Sequence, residues 1–286
     1  MKSTIKKIVI IVLAVFAALL IGGYLLISSA LKREKVQPMD FTQNLDLKKP
    51  DPVKDQPSVL FLGNSMTYTN DLPSVFAQLS QSGGFMADVY ELTEGSYRLE
   101  YFADREDEVG SKVYDALENY TWDYVILQEQ SGIATMGEET MYSAARTLNS
   151  LIRQAQGEPV FLMTWAFKEG ISIDLLAGLK YRESRDEMQT EIASHYINIA
   201  KELDAMLAPA GIAFMRCTSQ FPEIELWDED ENHPSPAGTY LSACVLYNTL
   251  YDQSPEGLTY LGDLDEQTAG KLQLVSNSIN YKIGEN

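Results

Sequence analysis

At 286 residues and 45% hydrophobic content, the chain can bury one large core or two small ones, and its two cysteines are too few for a disulfide framework or a metal cluster. Its formal charge of −19 is unevenly spread: residues 1–36 hold six Lys/Arg and one Glu, so 16 Lys/Arg face 40 Asp/Glu in the remainder, a net of −24. So acidic a body is repelled by nucleic acid and anionic headgroups, which argues against a nucleic-acid partner and for neutral or cationic material.

Residues 8–27 are 20 apolar residues in a row, preceded by Lys2, Lys6 and Lys7. At about 1.5 Å per residue such a helix spans about 30 Å, the hydrocarbon thickness of a bilayer. Residues 1–30 are therefore expected to be a transmembrane anchor or a signal segment cleaved near Ala30. The run exceeds the usual apolar length of a signal peptide, which favours the anchor. No cysteine follows it, so a lipidated cysteine is excluded. Lys32, Arg33 and Lys35 flank its far end, so charge does not fix the orientation; the commoner arrangement puts the bulk of the chain outside the cell. Residues 31–57 repeat Lys, Asp and Pro without apolar period and read as a polar linker, leaving 58–286 as the folded domain.

Val59-Leu60-Phe61-Leu62 is a short apolar run ending in glycine, the pattern of a buried strand in a parallel sheet. A helix is expected to about residue 81, with Asp71 as N-cap, Pro73 in its first turn and Gly83-Gly84 ending it. Residues 87–92 alternate as a second strand, 111–119 read as a helix and 124–127 as the third strand. Met141, Ala144, Leu148, Leu151 and Ile152 mark an amphipathic helix over 141–156. The fourth strand is expected over 159–165, followed by a long connection, 166–181, of the kind that lines binding sites. A long helix over 184–207, a fifth strand at Ile212-Ala213-Phe214-Met215, a helix from Pro236 capped by Ser235 to about residue 251, and a last helix over 266–279 complete the chain. Five strand–helix alternations imply a parallel sheet with helices on both faces, a three-layer α/β/α sandwich. Cys217 and Cys244 read as buried free thiols, with a single bridge between them as the alternative.

Ser65 falls just past the end of the first strand, where open α/β sheets bind ligands. Far downstream stands Asp230-Glu231-Asn232-His233. A serine, and a histidine with a carboxylate three residues before it, are the parts of a serine hydrolase. The other histidine, His195, lies on a helix without a carboxylate motif and reads as structural. The acidic run Asp228-Glu229-Asp230-Glu231 fits no EF-hand spacing and reads as a solvated loop. No Gly-x-Ser-x-Gly elbow surrounds Ser65, which disfavours the α/β-hydrolase family.

Gly63-Asn64-Ser65 and Asp230-x-x-His233 resemble the first and last blocks of the SGNH (GDSL-type) hydrolases, and the resemblance covers roughly residues 58–251. It implies a flavodoxin-like sheet of strand order 2-1-3-4-5, catalytic roles for Ser65, His233 and Asp230, and an oxyanion hole that includes the backbone N–H groups of Ser65 and of Gly95, the second-block glycine. The family's Gly-x-Asn-Asp block is replaced here by Gln128-Glu129-Gln130-Ser131, similar to a subgroup of the superfamily. An amide at that strand end can donate to an oxyanion, so Gln128, slightly ahead, and Gln130 are candidates for the family's Asn. Asn64, Tyr68, Trp165 and Phe167 are candidates for substrate binding, with core packing an equal reading for Trp165. No cofactor or metal is expected. The resulting expectation is a membrane-anchored extracellular serine esterase that removes acetyl or other short acyl groups from carbohydrate or cell-envelope polymers. A lipase or thioesterase on longer acyl esters, an inactive carbohydrate-binding domain and a tethered scaffold are the alternatives.

Overall fold

A computed structural model of the chain describes residues 37–174 and 180–279. The described residues fall into two units: 38–171 with 182–279, and a small one comprising Gln37, 172–174 and 180–181. The expected membrane segment, 8–27, lies outside the described residues, among which no helix is long and apolar enough to cross a membrane.

The main unit is built on five parallel strands: β1 (Ser58–Gly63), β2 (Asp88–Thr93), β3 (Tyr124–Leu127), β4 (Glu158–Leu162) and β7 (Met206–Ala208), in the order β2-β1-β3-β4-β7. The expected order is thus observed. Strands β5 (Ile171–Asp174) and β6 (Lys180–Glu183) pair as a separate two-stranded sheet within the stretch expected to be a plain connection. Each is only four residues long, too short for its alternation to stand out from a loop.

The helices are α1 (Ser65–Tyr68), α2 (Leu72–Ser82), α3 (Leu99–Phe102), α4 (Glu108–Asn119), α5 (Ser131–Met136), α6 (Glu138–Gln154), α7 (Arg185–Glu202), α8 (Ala210–Gln220), α9 (Pro236–Tyr251) and α10 (Glu266–Asn277). Side chains alternate across the central strands. Val59, Phe61, Tyr124, Ile126, Val160 and Leu162 face a core shared with α2, α8, α9 and α10. On the other face Phe161 meets Tyr196 of α7 edge-on, with ring centroids 6.2 Å apart. Helix α9 is buried from Ala237 to Tyr251, so packing rather than an amphipathic stripe holds it.

Two expectations are corrected. The fifth strand is Met206–Ala208, whereas Ile212-Ala213-Phe214-Met215 lies inside α8. Ala, Met and Leu are strong helix formers, which led the expected helix to run on through 207; pairing with β4 overrides that local preference. Residues 210–217 are all buried, so no polar face discloses their helical period. Residues 38–57, expected as a free linker, instead lie along the domain. The Arg216 guanidinium donates to the carbonyls of Phe41 (2.6 Å) and Gln43 (2.7 Å). Lys48 pairs with Glu158 and Asp204, Lys49 with Asp252 and Lys54 with Asp123. Cys217 and Cys244 are buried free thiols, as expected.

Candidate active site

Gly63 ends β1 in a place with no room for a side chain. A Cβ there would lie 2.4 Å from Thr67 Oγ1 and 2.7 Å from Gln128 Oε1. Asn64 then caps the single turn α1 through its side-chain oxygen, which accepts from the Met66 N–H at 3.0 Å. This turn carries Ser65, half-buried, past the carboxyl end of the sheet.

His233 reaches Ser65 from a loop between α8 and α9. Its Nε2 lies 2.7 Å from Ser65 Oγ, and its Nδ1 is hydrogen-bonded to Asp230 Oδ2. An ionised carboxylate only accepts, so Nδ1 carries the ring proton and the bare Nε2 accepts from the serine hydroxyl. Asp230 Oδ1 also accepts the N–H groups of Asn232 (3.0 Å) and His233 (2.9 Å). These bonds, led by the one to the His233 ring, hold the Asp230 carboxyl down at about 2, so it stays charged at neutral pH.

The loop carrying the acid and base is tied at several points. Asp228 N–H donates to His233 O (2.8 Å), the Trp165 indole donates to Asn232 O (3.1 Å), and the Asn70 amide donates to Pro234 O (2.8 Å). Ser235 caps α9 through the Gly238 N–H and so fixes the loop's exit. The acidic run 228–231 is part of this turn. His195, in contrast, is 4% exposed and donates from Nδ1 to Ala134 O at 2.7 Å, a structural tie between α7 and α5.

The replaced block Gln128-Glu129-Gln130-Ser131 divides its labour. Gln128 is fully buried; its Oε1 accepts from Asn64 N–H (2.8 Å) and Thr67 Oγ1 (2.9 Å), and its Nε2 donates to Glu129 O (2.7 Å). Both its Oε1 and its Nε2 are engaged inside the protein and the side chain is out of reach of solvent, so the expectation that Gln128 faces an oxyanion is corrected. Gln130 is half-buried and caps α5, its Oε1 accepting from Ile133 N–H at 2.9 Å. That bond orients the amide.

Two substrate-binding candidates are corrected as well. Asn64 and Trp165 are each 1% exposed. Asn64 Nδ2 donates to Tyr97 O at 2.8 Å, and Trp165 stacks on Phe214 with centroids 4.3 Å apart. Phe167 packs half-buried against the same core. Tyr68 does stand at the surface, 42% exposed, and the Cβ direction of Gly95 points at its hydroxyl. The Gly95 N–H donates to the exposed carboxylate of Glu94 at 2.9 Å, so an oxyanion using that N–H has to displace the carboxylate.

The bracing residues were missed from sequence. Asn64 joins the Ser65 turn to the 94–98 turn, Gln128 joins β3 to the Ser65 turn, and Glu129 Oε1 accepts from Leu99 N–H (3.3 Å), joining β3 to the 94–98 turn. The polar run after an apolar strand was the only available signal, because the partners lie 30 to 64 positions away.

No family model and no curated protein matches the chain. Among solved structures it is similar to a protein from Slackia heliotrinireducens assigned to the SGNH hydrolases, at 29% identity and a TM-score of 0.59, over 68% of this chain and 99% of that one. It also shares the fold of a DUF4886 family protein from Bacteroides uniformis, at 18% identity and a TM-score of 0.64, over 78% of this chain and 93% of that one. Fold, nucleophile–base–acid geometry and these likenesses define a serine hydrolase acting on ester bonds. The chain belongs to the SGNH hydrolase superfamily.

Proposed function

We propose that this esterase removes acetyl or similarly short acyl groups from carbohydrate or cell-envelope polymers, held at the outer side of a membrane by the apolar segment 8–27. The observation that carries the substrate reading is a reactive Ser65–His233 pair set beneath an open, polar rim. Tyr68, Glu94, Gly95 and Ser96 are exposed there, and the Asp230 side chain is 50% exposed. Such a rim admits a bulky, hydroxyl-rich alcohol portion. Of the aromatic side chains that could have walled an acyl trough, Trp165 is packed into the core and Phe167 is half-buried against it. The uninterrupted length of segment 8–27 supports the anchor.

In this reading Ser65 Oγ attacks the ester carbonyl while His233 Nε2 takes its proton, and His233 then delivers that proton to the departing alcohol. Asp230 keeps the ring in the right tautomer and stabilises its cationic form. The Ser65 N–H and Gln130 Nε2 hold the oxyanion, joined by the Gly95 N–H once Glu94 turns away. Water, activated by the same histidine, releases the acid and restores Ser65.

The test is hydrolysis of p-nitrophenyl acetate, butyrate, octanoate and palmitate and of acetylated xylan by the full-length protein, beside Ser65→Ala and Gln130→Ala. Turnover should fall with acyl length, vanish in Ser65→Ala, and drop about 100- to 1,000-fold in Gln130→Ala. A preference for palmitate would favour a lipase or thioesterase. Equal silence of wild type and Ser65→Ala on every ester would replace the enzyme reading with a carbohydrate-binding one.

A further inference from the structure

Behind the reacting groups lies a carboxyl that the mechanism above leaves unused. Glu129 follows β3 and is fully buried. Its Oε1 accepts from the Gln130 N–H at 2.7 Å and the Leu99 N–H at 3.3 Å, while Oε2 has neither a partner nor solvent. One acceptor atom thus gathers two backbone segments, one bearing the Gln130 amide and the other ending the turn that holds Gly95. The same turn is tied to the nucleophile's side by Glu94 N–H on Gly63 O (3.2 Å) and by the Asn64 amide on Tyr97 O.

We propose that Glu129 is the positioning residue of the oxyanion side, fixing the Gly95 turn and the Gln130 backbone relative to Ser65, and that it serves as an uncharged acid. This rests on the serine-esterase reading above. Two amide donors need an acceptor at this point, and a carboxylic acid supplies one without charge. A carboxylate in the same dry place would oppose the negative charge that develops on the substrate's carbonyl oxygen, because little solvent screens it. The surroundings favour the protonated form. Burial is the largest influence and raises the acid from its ordinary 4.5 to about 8, against the two N–H groups, which lower it. Of the charged groups facing it, Glu100 raises it further and Arg98 lowers it. From α7 the neutral Tyr196 hydroxyl accepts the Glu129 N–H at 2.9 Å.

The test compares full-length wild type, Glu129→Gln and Glu129→Ala on p-nitrophenyl acetate from pH 6 to 9.5, with thermal unfolding at pH 5 and pH 8. Glutamine keeps the acceptor and cannot ionise. Its kcat should stay within about threefold of wild type at pH 6.5, since the two donors keep their partner. Wild-type kcat should fall as the pH rises past 8 at unchanged KM, and Glu129→Gln should lack that fall. Glu129→Ala frees both segments and should lose about 10- to 100-fold in kcat at every pH, given how steeply rate depends on placement. The stability readout needs no substrate. A group whose folded pKa is raised stabilises the fold fully below 4.5 and loses that contribution as the pH climbs towards 8, so the wild-type Tm should drop between pH 5 and 8 more than that of Glu129→Gln. An alanine variant as active as wild type, an alkaline fall shared by Glu129→Gln, or parallel Tm profiles would each overturn the proposal. A wild type silent on every ester would overturn the esterase reading on which it rests, while the Tm comparison would still show whether Glu129 is held neutral.

Discussion

The two halves of the active site are held in place in different ways. The serine's turn is braced by buried hydrogen bonds from distant parts of the chain, with Asn64 and Gln128 almost wholly removed from solvent. The loop of His233 and Asp230 is exposed and held mostly by its own turns, with indole and amide tethers from Trp165 and Asn70. A buried polar group that loses its partner cannot turn to water, whereas an exposed one can. Damage to the serine side should therefore appear as lost stability, and damage to the histidine side as lost chemistry with the fold intact.

The largest expected effect tests the exposed half. Asp230→Asn keeps the Oδ1 acceptor for the loop's two N–H groups but reverses the tautomer demanded of His233. It should lower kcat on p-nitrophenyl acetate by about 10⁴-fold, with an unchanged thermal midpoint. A parallel loss of stability would erase the contrast between the halves. Gln128→Leu tests the buried half. It strands the Asn64 N–H and the Thr67 hydroxyl, and at about 1–3 kcal/mol for each unsatisfied group it should cost about 2–6 kcal/mol in urea unfolding. A variant as stable as wild type would show the brace to be dispensable. The smallest effect sharpens the boundary: Trp165→Phe keeps the stacking on Phe214 but removes the donor to Asn232 O. The loss of about 1 kcal/mol should appear as a several-fold lower kcat through a looser His233 loop.

The same contrast separates what could be read from sequence. Asp230-x-x-His233 is a local pattern because the acid and base meet within one turn, and Ser65 stands out because it follows an apolar strand. The strand order came from the resemblance, and the sheet shows it. Gln128 and Gln130, by contrast, are the same residue type two positions apart. One is turned inwards to Asn64 and the other caps a helix, and only the folded chain distinguishes them. Trp165 looked equally suited to a sugar wall or a core until Phe214 was found stacked against it. The fifth strand was misplaced for a related reason, since its pairing with β4 is non-local and its residues favour helix.

The stretch 38–57 determines where the folded unit begins. Arg216, only 4% exposed, donates to the Phe41 and Gln43 carbonyls, and the lysines of this stretch neutralise carboxylates in an acidic body. A recombinant fragment trimmed to start at residue 58 would keep every catalytic group. It would nevertheless leave a guanidinium without two of its acceptors, strip the counter-charges from Asp123, Asp204 and Asp252, and leave Glu158 to Arg153 alone.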